Sequence, residues 1–239
     1  MKLYVYGLAE GIDSLEDTIR GISGAPVHLL KIEDLAVLVS DFTSDTVPVT
    51  RENALGHAAV VRSILDRTTP LPFRFGTMVT EQQLRSFISA RKSALESNLA
   101  LVRDCVEMSV KIIWELSNNE PASQASQKTE GAGITFLKEK QREILGGELK
   151  AKRAEEISAW LRKTVHGLTR DEKVTLRPAD KLFLATAHLV QRANITLYRQ
   201  IIAAAVEERS DLRFLLSGPW PPYSFANIEL EFNTQFGVS

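Results

Sequence analysis

One cysteine, Cys105, is all the thiol chemistry in this chain of 239 residues. A lone thiol excludes an intramolecular disulfide framework and any Cys-x-x-Cys motif, and it fits a reducing cytosol. An excess of one charge sign is missing too: 29 Lys and Arg face 30 Asp and Glu, a net −1. That balance withholds the basic surplus of a nucleic-acid binder and the acidic surplus of a solvating, disordered chain. No run approaches the ~18 consecutive apolar residues of a membrane span. The opening "MKLYVYGLAEG" reaches Glu10 too soon for a signal peptide. The expectation is a cytoplasmic protein that does not insert in a membrane.

Catalytic patterns are equally scarce. The four histidines, His28, His57, His166 and His188, show no metal-ligand spacing. Gly131 and Gly133 are not followed by the lysine-serine of a phosphate loop, and no nucleophile elbow occurs. Cys105 and His188 each lie in a strand-like apolar run and read as core residues. Glu139, Glu143, Glu148, Glu155 and Glu156 alternate with Lys and Arg, as on a solvated helix face. The expectation is no catalysis, no cofactor and no metal.

What is present is alternation and helical period, in a chain 44% hydrophobic and 25% charged. Leu3–Leu8 reads as a strand. Ser14 offers an N-cap, and Leu15, Ile19 and Ile22 follow at helical spacing until Gly24 and Pro26. Val27–Ile32 and Leu35–Phe42 read as strands joined at Glu33-Asp34, the second central because its apolar run is nearly continuous. Thr50 caps a helix with Ala54, Ala58, Val61 and Leu65 on one face. "LPFRFGTMV", Leu71–Val79, supplies a fourth strand, whose alternation puts Phe73 and Phe75 on one face and Arg74 on the other. The order β-α-β-β-α-β is the ferredoxin-like split pattern.

Leu84, Ile88, Arg91, Leu95 and Val102 mark a connecting helix. The order then repeats. Val106, Met108, Val110, Ile112 and Trp114 alternate with Glu107, Ser109, Lys111 and Glu115, a strand with one wet face. Ser117–Gly133 is a polar loop, dispensable for folding. A helical region follows from Ile134 to Val165, broken at Gly146-Gly147. Strands over Val174–Arg177 and Leu182–Val190, a helix with Ile195, Tyr198, Ile202 and Val206 on one face, and a last strand in "DLRFLLSGPW" complete the series. The expected fold is α+β: two ferredoxin-like (β-α-β-β-α-β) domains joined by a helix. The first spans 1–80, the connecting helix 81–104, and a modified second domain 105–239, with a long helical region and a Pro/aromatic C-terminal segment.

Two stretches stand out. In "LSGPWPPYSF", Leu216–Phe225, three prolines exclude a helix interior or central strand, and a stiff extended segment is expected. Trp220, Tyr223 and Phe225 either pack back as a core strap or face a partner. In "LPFRFGTMV", Phe73, Arg74 and Phe75 serve core packing, base stacking or a protein contact. The candidate partner-binding residues are therefore Phe73, Arg74, Phe75, Trp220 and Tyr223, with Phe73 and Phe75 leaning to structural roles.

"LYVYGL", "LPFRFGTMV" and "LLSGPWPPYSF" resemble the three signature stretches of the gas vesicle GvpF/GvpL family, in the same order from Leu3 to Phe225. The resemblance implies two α/β domains and an accessory protein of gas vesicle assembly, a minor vesicle component in the cytoplasm and at the vesicle. It implies as partners the small hydrophobic shell protein, whose aggregation during nucleation is limited by binding, and other gas vesicle accessory proteins. Neither nucleic acid nor membrane is implied. A subunit that builds a gas-tight wall exposes apolar surface, and its holder needs an apolar groove with a polar rim. Two alternatives stand beside this reading. One is a single-stranded nucleic-acid binder using strand aromatics, which the near-neutral charge opposes. The other is a small-ligand regulatory module on paired ferredoxin-like domains.

Overall fold

The computed structural model describes residues 1–16, 18–44, 46–114, 148, 151–177 and 182–228. The chain divides into two compact units, one of residues 1–107 with those from Pro219 onward, the other of Met108–Gly218.

The first unit is built on β1 (Lys2–Ala9), which has β3 (Leu35–Phe42) on one side and β4 (Leu71–Pro72) and β5 (Met78–Val79) on the other; β2 (His28–Ile32) lies outside β3. All these pairings are antiparallel. β1 is buried from Leu3 to Ala9, and β3 from Leu35 to Ser40, the central place its apolar run implied. The β1–β3 register slips between Val5 and Gly7. The extra residue shifts the alternation by one, so Tyr4, Tyr6 and then Ala9 line one cluster with Ile12, Ile22, Leu38, Val60, Val61 and Ile64.

The expected helix after Ser14 is absent. Among the described residues of that crossover there is only a 3-10 turn at Ile22–Gly24. Leu15 and Ile19 still pack on the cluster, from a loop. The reason lies in Gly21 and Tyr6. The Tyr6 hydroxyl accepts the Ile22 N–H at 3.0 Å, and a Cβ on Gly21 would lie 1.9 Å from that oxygen. Tyr6 also bonds Ser40 Oγ at 3.1 Å, so the hydroxyl ties the crossover to β3. A side chain thus satisfies the backbone that a short, Gly-limited helix would have satisfied internally.

α1 (Arg51–Ser63) is capped by Thr50, whose Oγ1 accepts the Asn53 N–H. It buries His57, Val60 and Val61, while Ala54 is exposed; the true face is rotated from the expected one, with a histidine inside it. "LPFRFGTMV" is not one strand. Its ends pair with β1 and its middle closes a turn, with the Thr77 N–H and Oγ1 both donating to the Arg74 carbonyl and Gly76 at φ 86°. The connecting helix is two, α2 (Glu81–Ala90) and α3 (Lys92–Val102), broken at Arg91. A complete Thr80/Gln83 capping box starts α2. Leu84, Ile88, Leu95, Leu99 and Val102 are buried.

The second sheet has the order β7-β8-β6-β9, from β6 (Cys105–Trp114), β7 (Thr169–Arg177), β8 (Leu182–Gln191) and β9 (Arg213–Trp220). Both sheets therefore run second, third, first, fourth. Residues 151–164 form α4, which buries Ala154, Ile157 and Leu161. α5 (Ile195–Glu208) buries Tyr198, Ile202 and Ala205, with Val206 turned outward. β7 begins earlier than the sequence suggested. Among the described residues it is an edge strand, with Arg170, Asp171, Glu172 and Lys173 in succession. The expected loop at Ser117–Gly133 and the break at Gly146-Gly147 lie outside the described residues.

Candidate interaction surface

The segment after β9 is a turn, not an extended strap. Pro219 and Trp220 still belong to β9. Pro222 then offers its carbonyl to the Phe225 and Ala226 N–H groups at 3.0 and 2.9 Å, and the Tyr223 N–H donates to the Pro221 carbonyl at 2.8 Å. The prolines fix φ and remove competing donors, so the turn closes on the few N–H groups left. Pro221, Pro222, Phe225 and Ile228 are buried.

Glu107 holds this turn. It was expected on a wet face, yet it is 8% exposed, and its two oxygens accept the Ser224 N–H and Oγ–H, each at 2.7 Å. Asn98 on α3 adds two bonds, its amide nitrogen facing the Phe225 carbonyl at 3.2 Å and its oxygen the Asn227 N–H at 2.8 Å. Charge-assisted bonds to a buried carboxylate are the strong kind. The clamp leaves Trp220 40% and Tyr223 41% exposed on a fixed backbone. Burial, followed by the Glu107 charge, pushes the Tyr223 phenol up to about 12. The Arg62 guanidinium lies over the Trp220 ring, 5.3 Å from its centroid.

Of the other expected contact residues, Phe73 is 1% exposed and packs beside Phe87, with ring centroids 6.4 Å apart. Phe75 is half-buried against Tyr4 and His57. Only Arg74, at the start of the turn, is exposed. Tyr4 organises this corner, accepting the Gly76 N–H at 2.9 Å and bonding His57 Nδ1 at 3.0 Å. Burial holds the His57 ring down at about 4, with the Phe73 backbone opposing weakly.

A polar cleft of about 260 Å³ lies between Glu10, Arg67, Thr69 and Arg103. Arg103 pairs with Glu10 at 2.8 Å and Arg67 donates to the Ser14 carbonyl at 2.9 Å, so its cations are engaged internally. Among the described residues, no group of three or more His, Cys, Asp or Glu is placed to hold a metal, and no helix is long and apolar enough to cross a membrane.

The family model for the gas vesicle synthesis protein GvpL/GvpF matches residues 2–227. The chain belongs to the GvpL/GvpF family. It is 23% identical to gas vesicle protein F1 of Halobacterium salinarum, over 99% of this chain and 98% of that one. It is 26% identical to gas vesicle protein L of a Streptomyces species, over 95% and 94%. To gas vesicle protein F of Haloferax mediterranei it is 27% identical, over 99% and 98%. The crystal structure of GvpF from Anabaena sp. PCC7120 shares the fold at TM-score 0.78 and 19% identity, over 95% of this chain and 99% of that one. That of GvpF from Microcystis aeruginosa does so at 0.73 and 20%, with the same coverage. For a GvpL/GvpF protein, the signature stretches thus fall on structural devices: β1, the turn under Tyr4, and the clamped turn after β9.

Sequence reasoning missed Glu107, Asn98, Arg62 and His57. The first two are lone polar residues whose partners lie far along the chain, a pairing no local pattern signals. The one acid within β6, flanked by Val106 and Met108, was the available hint for Glu107.

Proposed function

We propose that this GvpL/GvpF protein is an accessory factor of gas vesicle assembly that binds the hydrophobic shell protein and limits its aggregation, working beside other vesicle accessory proteins as a minor vesicle component. The observation that carries the reading is the exposed Trp220/Tyr223 pair on a rigidly clamped turn in a family member. Aromatic and arginine anchors are the usual energetic centre of a protein interface, and the exposed Arg74 offers the same chemistry on another signature stretch. Holding an aggregating subunit takes surface complementarity and no catalytic group. We also read both units as ferredoxin-like, the first with its opening crossover helix replaced by the Tyr6-pinned loop; the shared strand order supports this.

Capture of the shell protein at low salt and at about 0.5 M, where the Debye length is about 4 Å, tests the reading. Apolar contact survives the salt; nucleic-acid binding would fall steeply as counterion release loses its advantage. Trp220→Ala and Tyr223→Ala, each checked for folding, should weaken capture. Unchanged capture in both would return the segment to a strap role, and capture lost with salt would refute the apolar mechanism.

A further inference from the structure

Among the described residues, two arginine-on-tryptophan stacks occur, and they differ in one respect. In the second unit the Arg209 guanidinium lies 5.0 Å from the Trp160 centroid, and its edge is occupied: Nε and Nη2 donate to the two oxygens of Asp211 at 2.7 and 2.8 Å. In the first unit Arg62 lies on Trp220, and its side chain has no ion pair or hydrogen bond among the described residues. A guanidinium has a flat face and a rim of five N–H donors. Stacking uses the face and leaves the rim in plane for a carboxylate, which is the state Arg209 displays. The stack also restricts the Arg62 side chain, so an incoming anion meets a preorganised fork.

The approach to this fork is apolar. Leu55, Ala59 and Arg62 fall at i, i+4 and i+7 on the outward side of α1. Leu55 is 59% exposed, and Ala59 and Arg62 are exposed as well. The track leads from Leu55 toward Arg62 and the partly exposed Trp220.

We infer that this track docks an amphipathic segment of the vesicle shell subunit, which lays apolar side chains along Leu55 and Ala59 and sets an Asp or Glu carboxylate on the Arg62 rim, as Asp211 sits on Arg209. The identity of the subunit rests on the function proposed above; the carboxylate chemistry does not.

Two measurements test it. The first titrates the full chain with a short helical peptide of leucine and alanine carrying one glutamate, and with its glutamine twin, by calorimetry. The glutamate peptide should bind about tenfold tighter. The preference should vanish in Arg62→Ala and fade in Arg62→Lys, which keeps the charge but loses the fork and the flat stack. Because Arg62 is exposed, both variants retain the core, and circular dichroism checks that they do. Equal binding of the twins, or a preference that survives Arg62→Ala, overturns the site. The second measures shell-subunit capture, expected to fall about tenfold in Arg62→Ala and severalfold in Leu55→Ala. Capture indifferent to both variants overturns the shell subunit as occupant. A native chain that captures no shell subunit overturns the vesicle function itself, and the peptide result then decides the surface alone.

Discussion

Acidification from pH 7.5 to 5 should weaken this protein through two buried histidines, one in each compact unit. His57 is 3% exposed and bonds Tyr4; His188 is 0% exposed and its Nδ1 lies 2.5 Å from the Tyr198 hydroxyl. Burial holds both rings at about 4. Glu172, 3.9 Å from His188 Nε2, is engaged by Arg162 and does not reverse the direction. The unfolded chain titrates these rings at about 6.5. With folded values depressed, the stabilisation is complete above pH 6.5 and is lost as the pH falls toward 4. At pH 5 the unfolded chain holds nearly one proton per ring that the folded chain lacks, which costs about 2 kcal/mol for each histidine. That is a large part of a typical 5–15 kcal/mol stability. Urea midpoints at pH 7.5, 6 and 5 read the effect. His57→Gln and His188→Gln should lower stability at neutral pH and flatten the profile, each removing about half the slope. A profile flat between pH 7.5 and 5, or an unchanged slope in the double variant, would refute the reasoning.

Three further outcomes follow from the packing. Gly21→Ala places a Cβ 1.9 Å from the Tyr6 hydroxyl and should cost about 2 kcal/mol or more as that oxygen gives up the Ile22 N–H and Ser40; an unchanged Tm would count against the pinned crossover. Phe73→Ala should cost about 3–5 kcal/mol, while Arg74→Ala stays within about 0.5, and thermal denaturation showing the reverse order would place Phe73 at the surface. Ser224→Ala removes one of the two bonds to Glu107, should cost about 1–3 kcal/mol, and should speed hydrogen exchange at Phe225 and Ala226; protection equal to the native chain would dismiss the clamp.

The strands and their burial were legible because local pattern encodes them: the apolar run of β3 and the alternation of Met108, Val110 and Ile112 survive in the structure. The helix after Ser14 failed because its apolar spacing is real but is satisfied by a loop, and the deciding contact joins Gly21 to Tyr6, 15 positions earlier in the chain. "LPFRFGTMV" misled through its alternation, which a positive-φ glycine interrupts. The interaction surface was half legible. Trp220 and Tyr223 drew notice by type and by the prolines around them, but the carboxylate that clamps their turn and the guanidinium that stacks on Trp220 come from β6 and α1.

The four successive charges of β7 bear on the company this protein is proposed to keep. An edge strand presents unpaired backbone groups to any chain able to add itself to the sheet. A factor that handles subunits prone to self-association meets such chains at high local concentration. Another strand laid on β7 would have to run beside Arg170, Asp171, Glu172 and Lys173, and charges on an edge strand discourage such pairing. That edge is therefore a poor template for an added strand, and in the proposed role it favours recruitment through surfaces that read side chains instead of bare backbone.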